Sequence, residues 1–492
     1  MFNVEDIVIV GGGTAGWLTA AYLANKLYCN ITVIDKEQPD PIGVGEATLL
    51  NFPIFMEDCG FKIDDWWMAT EATYKVGIHF KDWKREGYEI WHPFYTTGST
   101  NGFITNDLWT LNQHLDYKKY AIPLYDTCVL NNKIDFLDCP NTGFHVNATK
   151  LAKFLETHLV EKQKVNLIRS EVVRINKYKN TLQYITLNNN QIVKADLFID
   201  CTGFKSILNP TRKVKSLANK IFTNTAVACM VNYQDKDTEQ RCYTTAHAVE
   251  HGWIWKTPVQ SRIGTGLIFN SNITPINEAK DFFIKYWGKD RVSADKIRVL
   301  NWEPFYNSSP WDGNVISIGL SAGFIEPLES TGIGQIIQQV WDLHRTITKN
   351  VYTNDQIELY NLVYKNRFDD SVDFVSFHYS NSERQEPFWK HVKKTQILSE
   401  YTKSILKTLE KGCPINTHPD GDRLTFFRSN WHLWAAQLGY PIGKGPIQYH
   451  ISQQDSELLL QKHNMVHESS RSVWARFHPD EIKRLELFYS KN

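Results

Sequence analysis

Apolar and polar positions along this chain change period several times, and each change predicts an element. An unbroken apolar run at Ile7–Val10 reads as a buried strand, followed by Gly11-Gly12-Gly13-Thr14-Ala15-Gly16 and a helix from Trp17 to about Leu27. A second strand, Ile31–Ile34, ends at Asp35. Residues 54–75 look helical; from Val76 to Trp83 the pattern turns to alternation (Val76, Ile78, Phe80), placing Lys75 at a helix-to-strand boundary. Trp91-His92-Pro93-Phe94 follows a short charged turn. Val146–Lys162 predicts a helix, Gln183–Leu187 and Ile192–Lys194 predict strands, and Leu197–Cys201 a further strand ending in Asp200-Cys201-Thr202-Gly203-Phe204. Partial alternation over 224–268 predicts an antiparallel sheet centred on Gly252-Trp253-Ile254-Trp255-Lys256-Thr257-Pro258. Val315–Ile318 reads as a buried strand feeding the polar stretch Gly319–Ile333 and then a helix, Ile336–His344. Beyond residue 335 the chain is mainly helical, with loops near Pro414–Asp422 and Gly439–Pro446.

The first of these patterns carries chemistry. A strand, a Gly-x-Gly-x-x-Gly-type turn, a helix, a second strand and an acid about 20 residues on form a dinucleotide fingerprint in its required context. Gly11, Gly13 and Gly16 allow the tight turn and the approach of a pyrophosphate, with Thr14 and Ala15 at the helix start, and Asp35 is placed to hold ribose hydroxyls. The glycine-spaced loop Gly43-Val44-Gly45-Glu46-Ala47-Thr48 is expected to lie against whatever the fingerprint binds. The fold class is therefore α/β: a Rossmann-like dinucleotide-binding sheet, an added antiparallel sheet and a mainly helical C-terminal part. Residues 1–345 are expected to hold the cofactor and substrate sites, with a substrate-facing insertion at about 74–130. Residues 346–492 are expected to pack on them rather than fold independently.

Composition narrows the function classes. Lys+Arg and Asp+Glu are equal at 54 each, so no basic excess points to nucleic acid or an anionic membrane. No apolar run approaches the roughly 20 residues of a membrane span. The eight cysteines lack any Cys-x-x-Cys and read as reduced thiols of a cytoplasmic protein. No metal-ligand spacing such as His-Glu-x-x-His occurs, so no metal is expected. Tryptophan is abundant, at 16 residues, and Tyr379, Trp389, Trp431 and Trp434 are candidate aromatic walls, with core packing the simpler reading of each.

Four motifs in one order give a resemblance. The Gly-rich turn followed by Trp17, Gly-Val-Gly-Glu-Ala-Thr at 43–48, Trp-x-Trp-x-x-Pro at 253–258 and Gly-Phe-Ile-Glu-Pro-Leu-Glu-Ser-Thr-Gly-Ile at 323–333 resemble flavin-dependent tryptophan halogenases from residue 5 to roughly 390. The resemblance implies a fold of the flavin monooxygenase type that binds FAD. A separate flavin reductase supplies it as FADH2. Reaction with oxygen and then halide (chloride, bromide or iodide) gives hypohalous acid, which reaches a lysine near the aromatic substrate. Lys75 matches that lysine and Glu329 the family's essential acid, with Glu326 as the competing carboxylate. Ser330, Thr331 and Gly332 match the halide site, and Leu320 and Ile333 contact the cofactor through backbone atoms. Gly45, Glu46, Ala47 and Thr48 border the flavin. His92, Phe94, Trp253 and Trp255 are the substrate-side residues. The reaction implied is FADH2- and O2-dependent halogenation of an electron-rich, indole-like aromatic; self-association into a homo-oligomer is left open.

Departures from the family pattern are Asp35 where a glutamate is usual, Leu50-Asn51 ahead of a proline displaced to Pro53, and Leu267 in place of a tyrosine. No residues match those with which the family grips the amino acid part of free tryptophan, which argues against that substrate. Two rival readings remain catalytic. A flavin hydroxylase would share the cofactor fold, and Gly319-Leu320-Ser321-Ala322-Gly323 fits the Gly-x-Ser-x-Gly elbow of a serine hydrolase with Ser321 as nucleophile. A flavin-binding protein without catalysis is the third.

Overall fold

A computed structural model describes residues 2–36, 46–94, 105–121, 142–347, 349–412 and 425–462. Its first layer is a six-stranded sheet ordered Trp311–Asp312, Val315–Ser317, Leu197–Asp200, Asp6–Val10, Asn30–Asp35, Asn166–Arg169. All its strands run parallel except the Trp311–Asp312 edge. Such a sheet is covered on both faces, which explains why its strands read as unbroken apolar runs. The helix Thr14–Lys26 packs against the helices Thr331–Thr346 and Ala148–Glu161. The strand end at Val10, the turn after Asp200 and the turn after Ser317 thus converge at one edge, where an open α/β sheet places its ligand.

The second layer is a seven-stranded sheet ordered Arg298–Asn301, Thr225–Asn232, Arg262–Phe269, Gly252–Pro258, Thr244–Val249, Gly77–Lys81, Glu89–Pro93. It is antiparallel apart from the Thr244–Val249/Gly77–Lys81 pair. Trp253 and Trp255 face the main core, while Ile254 belongs to a second core with Phe283 and Trp287 of the helix Ile276–Trp287. The main core also takes in Phe374, Phe377, Trp431 and Trp434 from the C-terminal helices Asn354–His378 and Arg428–Leu438. No helix among the described residues is long and apolar enough to cross a membrane.

A third, small sheet positions Lys75. Gly143–Val146 is its central strand, flanked by Glu46–Ala47 on one side and Thr73–Lys75 on the other. Lys75 therefore ends a strand, not a helix as its sequence context predicts. Gly60, at φ +85°, stops the helix Asn51–Asp58, and only the short turn Ile63–Trp66 follows before the chain extends at Thr73. Left-handed Gly60 is the kind of residue that ends helices, and Thr73 and Tyr74 favour strand. The loop expected near Pro414–Asp422 and the Gly43–Gly45 part of the glycine-spaced loop lie outside the described residues.

Candidate active site

The N-terminal turn has the shape a dinucleotide needs. Gly11 adopts φ +111°, and a Cβ there would come within 2.4 Å of the Cys201 carbonyl oxygen. A Cβ on Gly16 would lie 1.9 Å from the Gly11 oxygen, whereas one on Gly13 would meet nothing within 4 Å. Gly13 caps the helix Thr14–Lys26 without any side-chain hydrogen bond, and the first turn carries no acid. Its leading N–H groups are thus aimed past a residue with no side chain, which is the arrangement that receives a pyrophosphate. Asp35 closes the second strand; its Oδ1 accepts from the Gly12 amide at 3.2 Å and its Oδ2 from Arg169 at 2.5 Å. These residues fit FAD. Leu320 is 40% exposed on the turn after Ser317, while Ile333 is buried in the first turn of the helix Thr331–Thr346. Glu46 and Ala47 are held by pairing with Val146 and His145.

The small sheet carries Lys75 into a fully buried position. Its Nζ donates to Ser330 Oγ at 2.6 Å and to the Thr48 carbonyl at 3.2 Å, and sits 4.5 Å from the centre of the Phe94 ring. Burial pulls the ammonium from its ordinary 10.5 down to about 7, against the opposing charge of Glu329. Gly143 makes the approach feasible, because a Cβ there would fall 2.7 Å from the Thr48 oxygen and 2.8 Å from Phe94.

Glu329 and Ser330 are consecutive left-handed residues, at φ 61° and 58°, immediately before the helix Thr331–Thr346. Non-glycine residues in this region cost on the order of 1–3 kcal/mol each and persist where the surroundings enforce them. Here the enforcement is visible. The Glu329 carboxylate lies 2.8 Å from His92 Nδ1 through either oxygen and 2.5 Å from His378 Nε2. Asn430 Nδ2 lies 2.7 Å from His92 Nε2, so that nitrogen accepts and Nδ1–H donates to Glu329. His378 Nδ1 lies 2.7 Å from the Phe374 carbonyl oxygen. Both His378 nitrogens therefore face oxygen acceptors, and one proton must be held between His378 and Glu329. Burial works to raise the Glu329 pKa, but His92 and His378 outweigh it and hold the carboxyl well below its usual range. Burial lowers His378, against the pull of Glu329. The doubly accepting surroundings place the proton on His378. The three side chains also have metal-ligand atoms within 4.8 Å of one another, yet their direct contacts account for the cluster as a hydrogen-bonded one.

The structure brings Lys75, Ser330, Glu329, His92 and Phe94 together and separates Trp253 and Trp255 from them. Trp253 is 1% exposed, and its indole N–H donates to Tyr379 at 2.9 Å. Trp255 lies against Gly266, where a Cβ would come within 2.0 Å of its ring. Glu326 is neither a surface nor a capping acid. It is buried, accepts from Thr223 at 2.5 Å and Tyr379 at 2.8 Å, and burial pushes its carboxyl up to about 7. Tyr379, Trp389, Trp431 and Trp434 are all core residues at 0–1% exposure. Ser321 is buried too, with its hydroxyl bonded to the carbonyls of Asp200 and Ile318; as it donates to backbone and is not paired to a base, the hydrolase reading is set aside. The first turn of the helix Thr331–Thr346 has no side-chain cap, and Gly332 faces open space, so Thr331 and Gly332 present amide groups suited to an anion. The residues missed in the sequence are His378 and Asn430. No local pattern marks either one; only the fold carries them to Glu329.

Comparison with known proteins gives this arrangement its class. The flavin-dependent halogenase Xcc4156 from Xanthomonas campestris superposes with a TM-score of 0.89 at 24% identity, covering 98% of each chain. The fold is that of the flavin-dependent halogenases. Tryptophan 6-halogenase ThaL of Streptomyces albogriseolus is 29% identical over 455 residues, 86% of this chain and 85% of that protein. Tryptophan 7-halogenase RebH of Lentzea aerocolonigenes is 27% identical over 493 residues, covering 92% and 93%. The tryptophan halogenase family model matches residues 6–449, and the chain belongs to that family. It is an enzyme of flavin-dependent aromatic halogenation.

Proposed function

We propose that this enzyme halogenates an electron-rich, indole-like aromatic with hypohalous acid held at Lys75, Glu329 receiving the ring proton. Reduced FAD, delivered by a separate flavin reductase, supplies the oxidant with oxygen and halide. The overall step replaces a ring C–H by C–halogen and releases water. The observation that carries the reading is the buried Lys75–Ser330 contact of 2.6 Å, with Glu329 the adjoining residue.

Two of the three Lys75 protons are placed on Ser330 and Thr48, leaving one to polarise the hypohalous oxygen. With its pKa near 7, the same group also offers a neutral amine that a halogen could be transferred to. Electrophilic attack leaves a cationic ring, which a carboxylate fixed in the ionised state stabilises and deprotonates. His92 and His378 hold Glu329 in that state, and His92 and Phe94 border the ring. Thr331 and Gly332 amides, with the Ser330 hydroxyl, receive halide. Gly11, Gly13, Thr14, Ala15, Gly16 and Asp35 bind the dinucleotide, while Glu46–Thr48, Leu320 and Ile333 line the flavin side.

The test incubates enzyme, FAD, a reductase system and each halide with a panel of indoles and phenols, read by mass spectrometry. Halide-dependent halogenated product is expected. Hydroxylated product independent of halide would establish the hydroxylase instead. Lys75→Ala and Glu329→Gln are expected to keep FAD binding and lose product; wild-type turnover in either removes that residue from the mechanism.

A further inference from the structure

The seven-stranded sheet has a second face that the halogenation chemistry does not use. His92 pairs with Ile78 on the core side, so His79 and Lys81, alternating with Ile78 and Phe80, point the other way. Backbone register extends that outer face across three strands. Lys256 pairs with Thr245 and Thr245 with His79, while Lys81 occupies the next row opposite His247. The side chains of this face line a cleft of about 230 Å3, closed at one side by Trp287 of the helix Ile276–Trp287.

Its charge is one-sided. Lys81, Arg241 and Lys256 line the cleft, and Glu239 is the one acid there. Glu239 is already engaged by Arg291, through contacts of 2.7 and 3.0 Å. Among the described residues no ion pair engages Lys81, Arg241 or Lys256. Lys256 instead lies over two rings, 5.0 Å from Tyr286 and 4.7 Å from Trp287. The buried indole N–H of Trp287 has no hydrogen-bond partner. Like charges side by side on a sheet face destabilise it, and a buried donor without an acceptor is unfavourable. A cleft that collects cations and an unused N–H, while its acid is taken elsewhere, is complementary to an anion. Arginine and lysine with indole N–H match oxyanion geometry.

We propose that this cleft binds a small molecule through a phosphate or carboxylate group, on the sheet face opposite His92 and Glu329. Trp287, Ile263 and Pro258 give the remainder of the ligand an apolar wall. The site is separate from the halogenation centre, because Trp253, Trp255 and Phe80 fill the other side of the same strands.

The test is isothermal titration of the FAD-loaded enzyme in saturating chloride, so that the dinucleotide and halide positions are occupied, with inorganic phosphate and, separately, acetate. One saturable site is expected, weakened at least ten-fold by Lys256→Met and by Arg241→Gln, and unchanged in Lys75→Met. Tighter phosphate binding identifies a phosphate-bearing ligand, tighter acetate binding a carboxylate. Circular dichroism checks each variant's fold. If Lys256→Met proves unfolded, Arg241→Gln decides. Absence of saturable binding by either anion, or wild-type isotherms in the folded variants, overturns the proposal.

Discussion

Replacing Lys75 by methionine should stabilise the enzyme while abolishing its product. Methionine keeps the length of the stem and removes the charge that burial penalises. The depression of Lys75 from 10.5 to about 7 corresponds to roughly 5 kcal/mol, at about 1.4 kcal/mol per pH unit. Losing the hydrogen bonds to Ser330 and Thr48 takes back about 1 kcal/mol each; the depression already stands net of the attraction to Glu329. A net gain of about 3 kcal/mol is expected below pH 7. The sign with pH follows from linkage. Below about 7 the lysine is charged folded and unfolded, and the native state bears the whole cost. Between about 7 and 10.5 the native state has released its proton while the unfolded chain keeps one, so wild-type stability rises with pH relative to the variant. The methionine advantage should therefore be largest near pH 6 and shrink by pH 9. Urea unfolding of both proteins at pH 6 and 9, with FAD at one fixed concentration, measures it. A variant less stable than wild type at pH 6, or a difference that stays constant with pH, would refute the burial account of Lys75.

Three further outcomes follow from the same geometry. His378→Gln leaves Glu329 with one imidazole partner, so the carboxyl rises toward its ordinary value and the acid limb of the kcat profile moves to higher pH by about one to two units, a charged hydrogen bond being worth roughly 1.5–3 kcal/mol; a superimposable profile would show that His378 does not act on Glu329. Gly16→Ala forces a Cβ to within 1.9 Å of the Gly11 oxygen, and a flavin absorbance titration should show FAD affinity reduced at least ten-fold, whereas unchanged affinity would mean that the turn is not the pyrophosphate cradle. Ser321→Ala should keep halogenation and cost stability of about 1 kcal/mol, and a fluorophosphonate probe should fail to label the wild type; labelling at Ser321 would revive the hydrolase.

Local pattern and tertiary convergence divide what the sequence made readable. Val10, the glycines after it and Asp35 lie within one βαβ unit, where hydrophobic period and turn chemistry agree, and the structure places them as that pattern requires. The Trp253 strand was legible as a strand, but its partner Tyr379 is 126 residues away, so the burial of both indoles in the core was not. Lys75, marked out by its motif, is expected to end a helix and ends a strand instead, because Phe55, Trp66 and Trp67 mimic one continuous apolar face across a turn made by Gly60. His378 sits 49 residues beyond Glu329, at the end of a helix whose other residues mostly pack. A lone histidine there has no periodic or spacing signal; only the left-handed bend at Glu329 turns the carboxylate toward it.

The strand Gly143–Val146 has a mechanical consequence. One edge of it is laddered to the Glu46–Ala47 segment and the other to Thr73–Lys75, so backbone bonds alone fix the span between Glu46–Ala47 and Lys75. Side-chain drift leaves a span of that kind unaltered. Side chains elsewhere in the chain can thus be exchanged over evolution while the span from Glu46–Ala47 to Lys75 is inherited intact.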